Sequence, residues 1–530
     1  MQGTRPGRFG DHSHLTPHLS RKGYKTMSET QADTPAESGA KSGERPHDPK
    51  YPQKFLDFMR GGWGSSELTG LVAVPQAVHH ARRRDAVSQA FPGDVLIIPT
   101  GHEKVRANDT FFRFRAGSDF AWLTGDYDPE GVLVMRPHAG GHDAVLYRRP
   151  RKSKDSDEFF RSAQYGELWV GRRHSLDETA TRLGIETRDL EELEGGLTEL
   201  AAAGPRVLRG YDAGVDKAIP AETPVENEDG TTAMTRDREL AAVLSELRLV
   251  KDEWELAQLQ DAVDITVRGF EDVARMLPAD RSISERVIEG VFGMRSRLEG
   301  NGIGYDSIVG AGSHATTLHW ITNDGRTTPG ELILMDMGTE NNHLYTADVT
   351  RTVPVKGTFT PLQKQVYDIV YASQQAGMDA VKPGVPYRDI HETCMRVLAE
   401  GLNDLGILPV SVDEAMAEDS LVYRRWTLHG FGHMLGLDVH DCAASRMEHY
   451  WKGDLAEGHV LTVEPGLYFQ TDDELVPEEL RGVGVRIEDD ILVTAEGHRN
   501  LSEGLPRTSG DVETWLAAQR EAGPRIAGLD

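Results

Sequence analysis

Four apolar runs in the second half of the chain each lead into a carboxylate, and a chain can bury such groups only if something cationic meets them. Glu331-Leu332-Ile333-Leu334-Met335 runs into Asp336, and Tyr345 to Val353 carries Asp348. Val460-Leu461-Thr462-Val463 precedes Glu464 and the turn Pro465-Gly466, and Val483 to Ile491 carries Arg486 and Glu488. Each run has the length and composition of a buried strand. A carboxylate there is expensive unless paired or coordinated, and two of them ~4 Å apart repel by ~4 kcal/mol at an effective dielectric near 20. Four carboxylates with one imidazole, His433, would balance two divalent cations and leave a bridging water to be ionised. The sequence therefore predicts a two-metal hydrolase.

Spacing supports the grouping. Asp348 lies beyond a polar turn at Asn341-Asn342-His343, so an antiparallel hairpin can set it beside Asp336. The segment His429-Gly430-Phe431-Gly432-His433-Met434-Leu435-Gly436-Leu437-Asp438-Val439-His440-Asp441 places three histidines among glycines that let the backbone pass close to something bound. The helical His-Glu-x-x-His zinc motif is absent, because Gly430 stands where its glutamate belongs. Arg486 and Glu488, two apart, share one face of a strand, where the arginine could orient a metal-bound carboxylate.

Asp336-Met337-Gly338, Thr346 to Arg351, His429 to Asp441, Val463 to Gly466 and Arg486-Ile487-Glu488 occur in this order. Together they resemble the motifs of the pita-bread metallopeptidases, which include methionine aminopeptidase, prolidase and aminopeptidase P. The resemblance implies that Asp336 holds one metal, that Asp348 and Glu488 bridge both, and that His433 and Glu464 complete the second. It gives His319, His440, Glu464 and Arg486 catalytic roles and places Tyr305, His429 and Tyr468 at the substrate. His440 is suited to donate to a carbonyl oxygen as it becomes anionic.

The first half of the chain narrows the resemblance. Ser118 to Gly125 and Glu167 to Arg173 are similar to the amino-terminal domain of bacterial aminopeptidase P, in which the position matching Trp169 reaches a neighbouring subunit's active site. Residues 220 to 240 offer no match to that family's substrate-contacting arginine. The expected fold is α+β, with an extension over 1–50 read as disordered, an amino-terminal α/β domain over 51–245 and a pita-bread domain over 246–530. Strands are expected at 94–99 and 131–135, helices at 189–203, 252–276 and 515–520, and the run Leu244 to Lys251, leading into 252–276 with helical periodicity, marks the start of the second domain. Met27 opens an acidic run and is a candidate translation start.

The implied reaction is release of the first residue from peptides with proline second, by attack of a hydroxide bridging two metal ions, with Mn2+ favoured by oxygen-rich ligands. Glu464 carries the proton to the leaving nitrogen. A homotetramer or homodimer is the implied assembly. Prolidase activity on Xaa-Pro dipeptides is the nearest alternative, and a non-catalytic binding module of the same fold is an alternative of another class. A net charge of −27 disfavours nucleic acid, the absence of long apolar runs disfavours a membrane, and only two cysteines point to a reducing, cytoplasmic setting.

Overall fold

A computed structural model describes residues 51–226 and 232–525. The expectations for 1–50, the Met27 start, the insert at 227–230 and the last residues of the tail lie outside the described residues.

The described chain falls into two compact units, residues 51–64 with 152–171 and residues 65–151 with 172–525. The smaller holds three short helices, Gln53–Met59, Glu158–Arg161 and Glu167–Val170. Aromatic rings tie it together, with Trp63 edge-on to Phe159 at 5.1 Å between centroids and Phe55 edge-on to Phe160 at 6.4 Å. Arg60 pairs with Asp157 at 2.7 Å. Trp169 donates its indole N–H to the Phe160 carbonyl at 2.7 Å while 60% of its surface stays exposed.

In the larger unit, a five-stranded mixed sheet runs Glu186–Asp189, Gly141–Arg148, Val132–His138, Leu96–Pro99 and Arg206–Val207. The two strands expected in this region are both present. Helix Leu190–Ala202, capped by the Asp189 side chain, fills the expected 189–203. Helix Ser118–Thr124 is buried along its whole length and stops at Gly125, which takes φ +68°.

Two helices then lead into the second half. Helix Arg236–Leu249 contains most of the run Leu244 to Lys251, and helix Glu253–Met276 starts at a capping box in which Asp252 and Glu255 satisfy each other's backbone N–H groups. Leu240, Leu244, Leu259 and Val263 share one apolar cluster with Phe120 and Leu133 on one side and Leu435, Leu437 and Val460 on the other. The sheet of the first half and the motif-bearing loops are thus joined through a common core.

Three small antiparallel sheets carry the motifs. Strand Leu332–Met337 lies between Ile308–Ala311 and Val349–Pro354, strand Asp489–Thr494 between Val460–Val463 and Gly497–Asn500, and Gly466–Tyr468 pairs with Gly484–Arg486. Helices Pro361–Ala380 and Tyr387–Asp404 contribute Val366, Val370, Ile390 and Leu398 to the core that also takes Leu461, Val463, Ile487 and Ile491. The terminal helix, Ser509–Ala522, is longer than the expected 515–520 because Thr508 caps it early. The mixed helix and strand content fits the α+β expectation.

Candidate metal centre and active site

Register places the first two acids. Asp336 pairs with Thr350 across the hairpin, so Asp348, two residues before Thr350, projects from the same face. The chain can return this tightly because Gly338 has no side chain: a Cβ there would sit 1.7 Å from the Ala347 carbonyl oxygen. The turn closes with Leu344 N–H on the Asn341 carbonyl at 3.0 Å and with Leu344 at φ +69°. The Tyr305 hydroxyl sits 2.6 Å from Asp336 Oδ1 and 2.6 Å from Asp348 Oδ1. Its one proton can serve only one of them, and burial together with those two acids raises the phenol well above its ordinary range.

Glu464 and Glu488 come from strand breaks. Glu464 sits between strands Val460–Val463 and Gly466–Tyr468, its N–H on the Phe431 carbonyl at 2.6 Å. The run over 483–491 is not the single strand that spacing suggests. It leaves one sheet after Arg486 and joins another at Asp489, and Glu488 in the gap gives its N–H to the Thr350 carbonyl at 3.1 Å. The shared-face argument for Arg486 and Glu488 therefore fails in its strand form. Their link is instead Thr350, whose hydroxyl donates to Glu488 at 2.7 Å and accepts from Arg486 Nε at 3.1 Å. Thr350 stands inside the motif Thr346 to Arg351, but its bridging position depends on two sheets meeting, which periodicity does not encode.

His433 completes the group. Its Nε2 is 3.3 Å from Asp348 and 3.7 Å from Glu464, and its backbone is locked by Thr462 N–H on its carbonyl at 2.8 Å. Donor atoms of Asp348, His433 and Glu488 all lie within 4.8 Å of one another. Asp336 and Glu464 adjoin this trio through Tyr305 and His433 respectively. Burial pushes Glu488 well above the carboxylate range, helped by Asp348, Glu464 and Asp336, and burial pushes Glu464 up to about 7 against the pull of His433 and Arg486. Burial alone would lower His433, yet Asp348 and Glu464 hold it at about 9. Burial and then neighbouring acids push Asp336, Glu464 and Glu488 upward while His433 holds Asp348 down, and such a donor set, short of positive charge, fits divalent cations.

Arg486 supplies a fixed cation beside the acids. It is 3% exposed, holds Asp336 Oδ2 at 2.6 Å and donates to the Tyr468 hydroxyl at 2.9 Å. That hydroxyl lies 2.8 Å from His429 Nε2, and His429 Nδ1 is 3.5 Å from Glu464. Burial, then the nearby Arg486, drops His429 to about 3, so it is neutral at physiological pH. His440 stands edge-on to His433, 4.3 Å between centroids, and is lowered by burial and by His433. His319 is exposed and lies near both His429 and His440. Of the expected site residues, all but Trp169 gather in this region of the larger unit; Trp169 belongs to the smaller unit.

Residues 257–495 match metallopeptidase family M24, and residues 80–208 match the aminopeptidase P amino-terminal domain. Xaa-Pro aminopeptidase 1 of Streptomyces coelicolor is 53% identical over 471 residues, covering 89% of this chain and 93% of that protein. The chain belongs to the Xaa-Pro aminopeptidase family. Xaa-Pro aminopeptidase of Escherichia coli is 32% identical over 450 residues, 83% of this chain and 97% of that protein. The structure of E. coli aminopeptidase P with the inhibitor Pro-Leu superposes with a TM-score of 0.73 at 30% identity, covering 85% of this chain and 100% of that one. Pseudomonas aeruginosa aminopeptidase PepP gives the same TM-score of 0.73, at 30% identity, with 85% and 100% coverage. The chain is accordingly a hydrolase, and its M24 domain implies divalent metal. Among the described residues no helix is long and apolar enough to cross a membrane.

Proposed function

We propose that the chain releases the amino-terminal residue from peptides with proline in the second position. The observation that carries the reading is the meeting of Asp348, His433 and Glu488 within 4.8 Å, in a chain 53% identical to a protein named Xaa-Pro aminopeptidase. Asp336, Asp348, His433, Glu464 and Glu488 would hold two divalent ions, Mn2+ being favoured by their four carboxylates. When bound, such ions ionise a water near neutral pH and so supply the nucleophile for the scissile carbonyl.

The chain's own side chains do the rest. Glu464, which burial holds at about 7, takes a proton from the attacking water and passes it to the leaving proline nitrogen. His440 donates to the carbonyl oxygen as negative charge collects there. Asp336 receives the substrate's free amino group, which confines cleavage to the first bond. Arg486 draws Asp336 toward its charged form against the upward push of burial and, through Thr350, aims Glu488. His319, Tyr305, His429 and Tyr468 shape the pocket for the proline ring. Trp169 serves a neighbouring copy of the chain in a homotetramer or homodimer, with domains over 51–245 and 246–530 and a cytoplasmic location.

The test is release of free amino acid from an Xaa-Pro-Xaa tripeptide by chelated enzyme before and after Mn2+ is restored. Turnover that needs the ion and exceeds that on Xaa-Pro dipeptides supports the reading. Preference for the dipeptide would make the protein a prolidase, and no hydrolysis with Mn2+ bound would overturn the activity altogether.

A further inference from the structure

The loop that presents His433 and His440 is gripped from behind by a buried ionic cluster in which the proposed reaction has no direct part. Asp441 N–H bonds to the Met434 carbonyl at 2.9 Å, closing 434–441 into a loop with His440 near its end. Asp441, 1% exposed, accepts from Arg248 Nη2 through one oxygen and from Lys251 Nζ at 3.1 Å through the other. Arg248, 4% exposed, sends its second terminal nitrogen to Asp119 Oδ1 at 2.6 Å, on the buried helix Ser118–Thr124. The nitrogen that meets Asp441 also reaches Asp438 Oδ2 at 3.0 Å, and Ser118 Oγ holds the other oxygen of Asp438 at 2.6 Å. A Cβ on Gly436 would lie 2.1 Å from Asp441 Oδ2, so the loop folds directly onto the ion pair.

Packing does not do this work on the outer side. Asp438, Ser118 and Arg115 border a cavity of about 560 Å³ that also takes Thr100, Phe114 and Tyr211. Leu435 and Leu437 anchor the apolar side of the loop in the shared core and Arg115 holds the Leu437 carbonyl at 2.6 Å, while its acidic end, Asp438 and Asp441, is directed by the fork of Arg248. Its planar fork holds two carboxylates in fixed directions, which a single ammonium cannot do.

From this geometry we propose that Arg248 is a positioning residue for catalysis. It fixes the loop carrying His440 against the helix Ser118–Thr124, so that the amino-terminal half of the chain sets where the imidazole meets the substrate carbonyl. Arg248 touches neither the proposed metal ligands nor substrate; it acts through Asp441 and the loop. The inference rests on the hydrolytic reading above, which the unsubstituted enzyme tests first: no hydrolysis there defeats that reading and leaves this grip to be judged by loop exchange alone.

Two variants of the full-length enzyme, loaded with Mn2+, carry the test. Arg248→Lys keeps the charge and loses the fork, and Asp119→Ala keeps Arg248 on Asp441 and removes its acceptor on the helix. Small displacements of catalytic groups cost up to roughly a hundredfold in rate. We expect kcat on Xaa-Pro-Xaa to fall by about tenfold to a hundredfold for each variant, with KM and bound Mn2+ changed by less than about threefold. Amide hydrogen exchange over 434–441 should rise by at least about tenfold while strands Val460–Val463 and Asp489–Thr494 keep their protection. A merely structural role would raise exchange throughout the molecule. Unchanged exchange over 434–441 in a folded variant, or unchanged kcat with loosened exchange, overturns the proposal. Should Asp119→Ala fail to fold, Ser118→Ala, which takes the Ser118 hydroxyl from Asp438 and from Arg115 and leaves Arg248 in place, replaces it: a lower kcat with faster exchange over 434–441 supports the grip, and no change in either overturns it.

Discussion

At the scale of single residues, the site is a problem in charge. Glu488 is surrounded by other acids and 1% exposed, and its carboxylate accepts from the Thr350 hydroxyl at 2.7 Å. Replacing Asp348 or Glu488 with Ala should abolish both bound metal and hydrolysis, which elemental analysis and a tripeptide assay on the same sample would read together. Glu464→Gln should keep much of the metal but lower kcat by ~10²–10⁴-fold, the usual worth of a positioned acid–base group. Normal turnover by that variant would remove Glu464 from the proton path. Thr350→Val strips the hydroxyl shared by Arg486 and Glu488 and leaves buried polar atoms unpaired, at a cost of about 1–3 kcal/mol in denaturant unfolding.

At the scale of elements, the sequence shows which segments carry the chemistry and less of how they meet. The run before Asp336, the turn at Asn341 and the acid before Pro465 were all legible, because apolar runs ending at polar punctuation leave a local trace. The hairpin register followed from the pattern as well, since a one-residue slip would have turned Asp348 to the opposite face. What stayed hidden is where a strand changes sheets. Val483 to Ile491 reads as one strand, and only the partners Gly466–Tyr468 and Val460–Val463, distant in sequence, reveal the break at Glu488. Arg248 was hidden for a related reason. It stands in a run that periodicity marks as the approach to the second half, and its partners Asp119 and Asp441 lie 129 and 193 residues away. The hairpin also yields a direct test: Gly338→Ala forces a methyl into the Ala347 carbonyl and should cost at least about 1–3 kcal/mol, with activity lost in proportion to the folded fraction that remains.

At the scale of the whole molecule, two long-range features should show in bulk stability. His80, 1% exposed, uses Nδ1 on the Trp122 carbonyl at 2.8 Å, and burial with Arg83 and Arg84 nearby lowers it to about 3. Between that value and the ordinary 6.5 the unfolded chain takes up a proton that the folded chain refuses. Stability should thus fall as pH drops through this window, by up to ~1.4 kcal/mol per pH unit from this one group. Urea unfolding of the native chain and of His80→Asn, compared from pH 7 to pH 4, would isolate the contribution as the difference in slope; parallel slopes would refute it.

The other feature is that the five expected ligands sit near the ends of strands in three separate small sheets and on a loop bridged to one of them. A cation seated among them works as one more rivet through sheets already pinned by Arg486 on Asp336 and by the Glu488 N–H on the Thr350 carbonyl. Saturating it at a hundred times its dissociation constant adds about 2.7 kcal/mol to unfolding. The melting temperature of this enzyme would then serve as a gauge of free metal in its surroundings, and scarcity of the ion would remove the protein by unfolding as well as by silencing it.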